Sequence, residues 1–80
     1  MRLSKAVLDF ISESARQAGA AEPTAEEDLF QNGTLDSFSV VDLVSLLESE
    51  FQVKIPDHDV NAATFKSIKA IEHYLEIRKN

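Results

Sequence analysis

Apolar residues recur at the period of an α-helix in three separated stretches of this chain, and no other feature constrains its fold as tightly. From Leu3 to about Ala18 they fall at Leu3, Ala6, Val7, Phe10, Ile11, Ala15 and Ala18, with Ser14 as a polar exception. Gly19 follows where a helix commonly stops. A second stripe, Val40, Leu43, Val44, Leu47 and Phe51, belongs to a helix that starts close to Asp36-Ser37 and ends around Phe51-Gln52. Asp36 suits its N-cap, because a carboxylate accepts hydrogen bonds from free amides and matches the positive end of the helix dipole. The third stripe is Ile68, Ile71, Tyr74 or Leu75, and Ile77, in a helix capped by Thr64 or Ser67 that runs to about Arg78.

Between the stripes the pattern breaks. Pro23 argues against helix in the first connection, where Leu29 and Phe30 stand out as an apolar anchor before the Asn32-Gly33 turn. Ile55-Pro56 forces an extended step, and Asp57 to Ala62 reads as one short turn or helix capped by Asp57. The expectation is an all-α single domain over residues 1–80, a small bundle of three main helices plus one short helix.

Composition excludes several classes. With 8 Lys+Arg against 14 Asp+Glu, the net charge of −6 repels nucleic acid and anionic membrane and attracts proteins with basic patches. No apolar run approaches the roughly 18 residues that cross a bilayer, and Asp9 and Glu13 interrupt any signal-peptide core. A cytoplasmic monomer is expected. No cysteine is present, so thiol chemistry has to come from an attached group. His58 and His73 lie far from any candidate nucleophile and no GxSxG elbow occurs, so no catalytic residue is assigned. His58 between Asp57 and Asp59 is too local a set for a metal site, and the acids from Glu22 to Asp28 lack Ca²⁺-loop spacing.

The segment Leu29-Phe30-x-x-Gly33-x-Leu35-Asp36-Ser37-Phe38 resembles the attachment motif of the acyl and peptidyl carrier proteins. Glu50-Phe51, the Ile55-Pro56-Asp57 step and a last helix after Thr64 extend the resemblance over nearly the whole chain. It implies that Ser37 is the attachment residue for a covalent 4′-phosphopantetheine, with Asp36 its acidic neighbour. It also implies a phosphopantetheinyl transferase, an acyl- or aminoacyl-loading ligase and a downstream transferase or synthase as partners. Elementary chemistry agrees: a serine in the first turn of a helix is exposed, and the neighbouring amides and the dipole are expected to favour a phosphodiester there.

Phe38 replaces the family's more usual leucine, and Leu-Asp-Ser-Phe looks like the variant in D-alanyl carrier proteins and some other discrete carriers for amino acids. The outward face of the second helix supplies the docking candidates Phe38, Val41, Asp42, Ser45 and Glu48. Ser39, Ser45 and Ser49 stand where carriers of fatty-acid synthesis tend to present acids, which points to a specialised biosynthetic pathway. An unmodified helical interaction module is the alternative, and the load either packs along the core or stays exposed.

Overall fold

Ser4 opens the first helix, its hydroxyl accepting from Val7 N–H at 3.4 Å and donating to Glu50 at 2.7 Å. The computed structural model describes residues 2–79. Among these the elements are α1 (Lys5–Gln17), α2 (Ser39–Phe51), a 3₁₀ turn (Asp57–Asp59) and α3 (Ile68–Lys79), with no strand. The all-α bundle of three main helices and one short one is therefore present. None of these helices is long and apolar enough to cross a membrane.

Helix α1 ends in a Schellman motif: Gly19 N–H donates to Arg16 C=O and Ala20 N–H to Ala15 C=O. Gly19 has φ +78° there, and a Cβ would meet nothing within 4 Å, so its backbone conformation rather than space calls for glycine. Val7, Ile11 and Ala15 are buried, whereas Ala6 and Ala18, expected in the same stripe, are exposed. The buried band is narrower than the alanines suggested, because a methyl group gains too little from burial to fix a helix's rotation.

The long connection is built rather than loose. Asp28 accepts from Phe30 and Gln31 N–H at 3.0 Å, and Asn32 accepts from Thr34 N–H at 2.9 Å. Leu29 N–H donates to Lys66 C=O at 2.7 Å and Lys69 N–H to Ala25 C=O at 2.9 Å, which ties this connection to the entry of α3. Leu29 and Leu35 are buried in the core and Phe30 packs against it, as the apolar anchor requires.

Helix α2 contributes Val40, Leu43 and Leu47 to the core, with Val44 and Phe51 half-buried beside them. Its regular turns begin at Ser39, later than the Asp36-Ser37 start that the sequence suggests. At its other end Gln52 takes a left-handed conformation (φ 55°), its side-chain Nε2 donating to Ser49 C=O at 2.9 Å. Lys79 donates to Phe51 C=O at 2.7 Å, so the last turn of α3 supplies the cation that the end of α2 lacks.

Asp57 does not cap the 3₁₀ turn; Pro56 precedes it and no side chain caps it. Instead Asp59 accepts from the Tyr74 hydroxyl at 2.6 Å, pinning the turn to α3. Ser67, rather than Thr64, caps α3, accepting from Ala70 N–H at 3.0 Å. Ile71 and Leu75 are fully buried, whereas Ile77 is 60% exposed, contrary to its place in the stripe. Phe65 is the largest fully buried side chain, although it lies in the irregular approach to α3. Its ring meets that of Tyr74 at 6.0 Å and 56°.

Candidate functional site

Leu35 and Asp36 fix where Ser37 stands. Leu35 is buried, and its N–H donates to Leu29 C=O at 2.9 Å, so the chain leaves the core directly before the site. Asp36 then turns the chain into α2. Its Oδ1 accepts from Phe38 N–H at 2.9 Å and Ser39 N–H at 2.8 Å, while its own N–H donates to Ser39 Oγ at 2.9 Å. This exchange is a capping box written with serine in place of glutamate. Phe38 directly precedes the regular turns of α2, and the carboxylate of Asp36, the N-cap expected from the sequence, closes the turn ahead of it.

The amide of Ser39, then that of Phe38, then the Ser39 hydroxyl hold the Asp36 carboxyl below the usual carboxylate range. The group is therefore ionised at neutral pH. One sequence-based expectation fails here: the amides at the head of α2 do not await a phosphate, because Asp36 already occupies them.

Ser37 is exposed, and among the described residues its hydroxyl has no hydrogen-bond partner. Its surroundings differ on the two sides. Toward the end of α1, Asp36 and Ser39 stand on the wall of a polar hollow of ≈ 210 Å³, with Ser14, Gln17, Gly33 and Thr34 opposite. Further along α2, Val41, Val44 and Ser45 form a groove of ≈ 340 Å³ with Asp57 and Val60 of the 3₁₀ turn region. Helical rise puts Ser45 about 9 Å beyond Ser39 along the axis.

The docking candidates fall on one face at helical spacing. Phe38 is 83% and Val41 56% exposed, and Asp42 and Ser45 also face solvent. Glu48 departs from that expectation: it is half-buried, and its carboxylate accepts from Ile55 N–H at 2.8 Å. Its structural task is to hold the chain as it leaves α2 for the Ile55-Pro56 step. Among the described residues no cluster of three or more His, Asp or Glu is arranged to hold a metal ion. The acids of the first connection instead serve its turns: Glu27 accepts from Asn32 at 2.9 Å and from Thr24 N–H at 3.2 Å.

An exposed, unbonded serine hydroxyl suits a covalent handle. Among the described residues no base is hydrogen-bonded to it, and the neighbouring Asp36 carboxylate is engaged by the amides of Phe38 and Ser39.

Residues 6–75 match the family described as phosphopantetheine attachment site. An aminoacyl carrier protein of Agrobacterium fabrum is 40% identical over 52 residues, covering 65% of this chain and 61% of that protein. An acyl carrier protein of Helicobacter hepaticus is 35% identical over 60 residues, covering 75% of this chain and 76% of that protein. A D-alanyl carrier protein of Streptococcus pyogenes is 35% identical over 51 residues, covering 64% of this chain and 65% of that protein. The match spans less than two thirds of the length of the first and third of these relatives.

Proposed function

Because the chain belongs to the phosphopantetheine-attachment family, and is thus a carrier of covalently attached 4′-phosphopantetheine rather than a catalyst, we propose that Ser37 bears the arm. The observation that carries this reading is the Ser37 hydroxyl itself, exposed and unbonded in the turn that Leu35 and Asp36 fix. Buried Leu35 anchors one side of that turn and the Asp36–Ser39 exchange the other, so the handle stands on rigid structure although it is solvent-facing. When bound, the arm supplies a thiol that holds a load as a thioester. Tethering keeps that load at high effective concentration for each partner.

Carriers of this family work with a phosphopantetheinyl transferase and with ligases or synthases. Phe38, Val41, Asp42 and Ser45 form the face on which such enzymes dock in this reading. A large exposed aromatic beside an exposed valine, in a mostly polar surface, supports it. Residues 1–80 act as one carrier domain.

The load we favour is a short aminoacyl group, in a specialised pathway served by its own loading ligase. Two observations support it. The relative with the higher identity quoted above is named an aminoacyl carrier protein. The core side chains Leu43, Leu47, Phe65, Ile71 and Leu75 are all fully inaccessible, so a long chain would have to part well-packed groups to enter.

Incubation with coenzyme A and a promiscuous phosphopantetheinyl transferase tests the attachment. Intact mass rises by one phosphopantetheine in the native chain and stays unchanged in Ser37→Ala. Failure with several transferases, or a gain that survives Ser37→Ala, removes Ser37 from its role. The mass of the group carried by holo protein isolated from cells then tests the load.

A further inference from the structure

We propose that Asp36 is a positioning residue for the arm: it occupies the amides that open α2 and so denies them to the phosphodiester on Ser37, leaving the phosphate turned to solvent. The inference rests on attachment at Ser37.

A helix start ordinarily offers free N–H groups to a phosphate. Here each amide from Phe38 to Val41 is already engaged. Phe38 and Ser39 N–H donate to Asp36 Oδ1, at 2.9 and 2.8 Å. Val40 N–H donates to Asp36 C=O at 3.0 Å and Val41 N–H to Phe38 C=O at 3.2 Å. The Ser39 hydroxyl is held in the same exchange, 3.1 Å from Asp36 Oδ1.

A phosphodiester on Ser37 Oγ therefore competes for donors with an anion on the adjacent residue. Asp36 holds the advantage. Its side chain is short, its turn is closed by the return bond from its own N–H to Ser39 Oγ, and its carboxylate is kept ionised by the donors in question. Displacing it would strand one anion and bring two like charges together. Among the described residues the only amide of this turn left to the phosphate is that of Ser37 itself, which moves with the arm's own residue, and beyond it the phosphate meets water. A basic patch on a partner meets both anions together.

The test compares apo protein with holo protein made by the transferase, after intact mass has confirmed the arm. Amide hydrogen exchange and proton shifts are read at Phe38 and Ser39, and the Asp36 carboxyl is titrated by carbon-detected NMR. In the expected result the protection of both amides changes by less than about twofold on modification. Asp36 also keeps titrating below the usual carboxylate range. In apo Asp36→Ala, exchange at both amides quickens about fivefold. Modification of that variant restores their protection, because the phosphate now takes the freed donors.

Strong downfield shifts of Phe38 and Ser39 on modification of the native chain, with Asp36 released to an ordinary titration, would overturn the inference. So would freed amides that stay unprotected in holo Asp36→Ala. If Asp36→Ala resists the transferase, the native apo–holo comparison decides alone. No mass gain on the native chain overturns attachment at Ser37, and the inference with it; a mass gain with displaced Asp36 overturns the inference only.

Discussion

Replacing Phe65 tests whether the irregular approach to α3 is as integral to the core as the helices are. The side chain is fully buried, and its ring sits 6.0 Å from that of Tyr74 at 56°. Truncation to alanine removes a whole ring from a site that backbone bonds on either side keep from collapsing. Such changes cost about 3–5 kcal/mol. A domain of this length has about 4–12 kcal/mol of stability in all, so Phe65→Ala is expected to sit at the edge of folding. The more measurable variant is Phe65→Leu, which keeps most of the volume. It loses the ring pair, worth about 0.5–1.5 kcal/mol, and part of the contact area. We expect a total near 1–2 kcal/mol, which at about 6 °C per kcal/mol for a chain of this size lowers Tm by roughly 6–12 °C. Thermal unfolding followed by circular dichroism, with urea denaturation to check that m is unchanged, reads both variants. Ile77→Ala, at a side chain 60% exposed, is the reference and is expected to stay within about 0.5 kcal/mol of the native chain. If Phe65→Ala unfolds no earlier than Ile77→Ala, the packing argument for this segment is refuted.

Two other outcomes follow from the structure. Thr34 is buried and among the described residues its hydroxyl has no partner, so Thr34→Val is expected to raise stability by about 1–2 kcal/mol in denaturant titration; destabilisation would show that the hydroxyl is satisfied in solution. The Tyr74 hydroxyl is pushed up to about 12, chiefly by burial and then by its bond to Asp59, and as this is the only tyrosine its absorbance titration is unambiguous. Because the folded protein holds that proton more tightly than the unfolded chain, the contribution is full below pH 10 and is lost as pH rises through about 12. Asp59→Asn is expected to bring the titration down, and an unchanged midpoint would detach Asp59 from the effect.

The helices were legible because their large apolar residues repeat at helical spacing, and the Leu29-Phe30 anchor because two large apolar groups in a polar stretch must go somewhere. Small residues misled. Ala6 and Ala18 fit the period yet face solvent, since a methyl group does not decide which way a helix turns. Ile77 stands two residues past buried Leu75, about 200° around the helix, and so faces away from the core side that Ile71 and Leu75 share. Phe65 sits outside any periodic run, so no pattern marks it, and its burial depends on where the first connection and α3 meet. At the site, the Leu35-Asp36-Ser37-Phe38 motif marked the place. What it hid was the traffic of hydrogen bonds: a single sequence does not show that Asp36 takes the amides offered by Phe38 and Ser39, or that Glu48 reaches Ile55. Those are choices among local partners that only a folded geometry settles.

The two backbone bonds that join the first connection to the entry of α3 also bear on the order of folding. Ala25 with Lys69 and Leu29 with Lys66 bring together residues about half the chain apart. Helical segments form on local contacts and form fast, but closing a loop of that length costs entropy that only late, cooperative packing recovers. The turn bearing Ser37 is braced through Leu35 and Leu29 to that closure, so it takes its shape when the whole chain does. A chain lacking this closure loses the brace on the Ser37 turn, so if Ser37 bears the arm as proposed, a modifying enzyme that needs the braced turn would act only on folded protein.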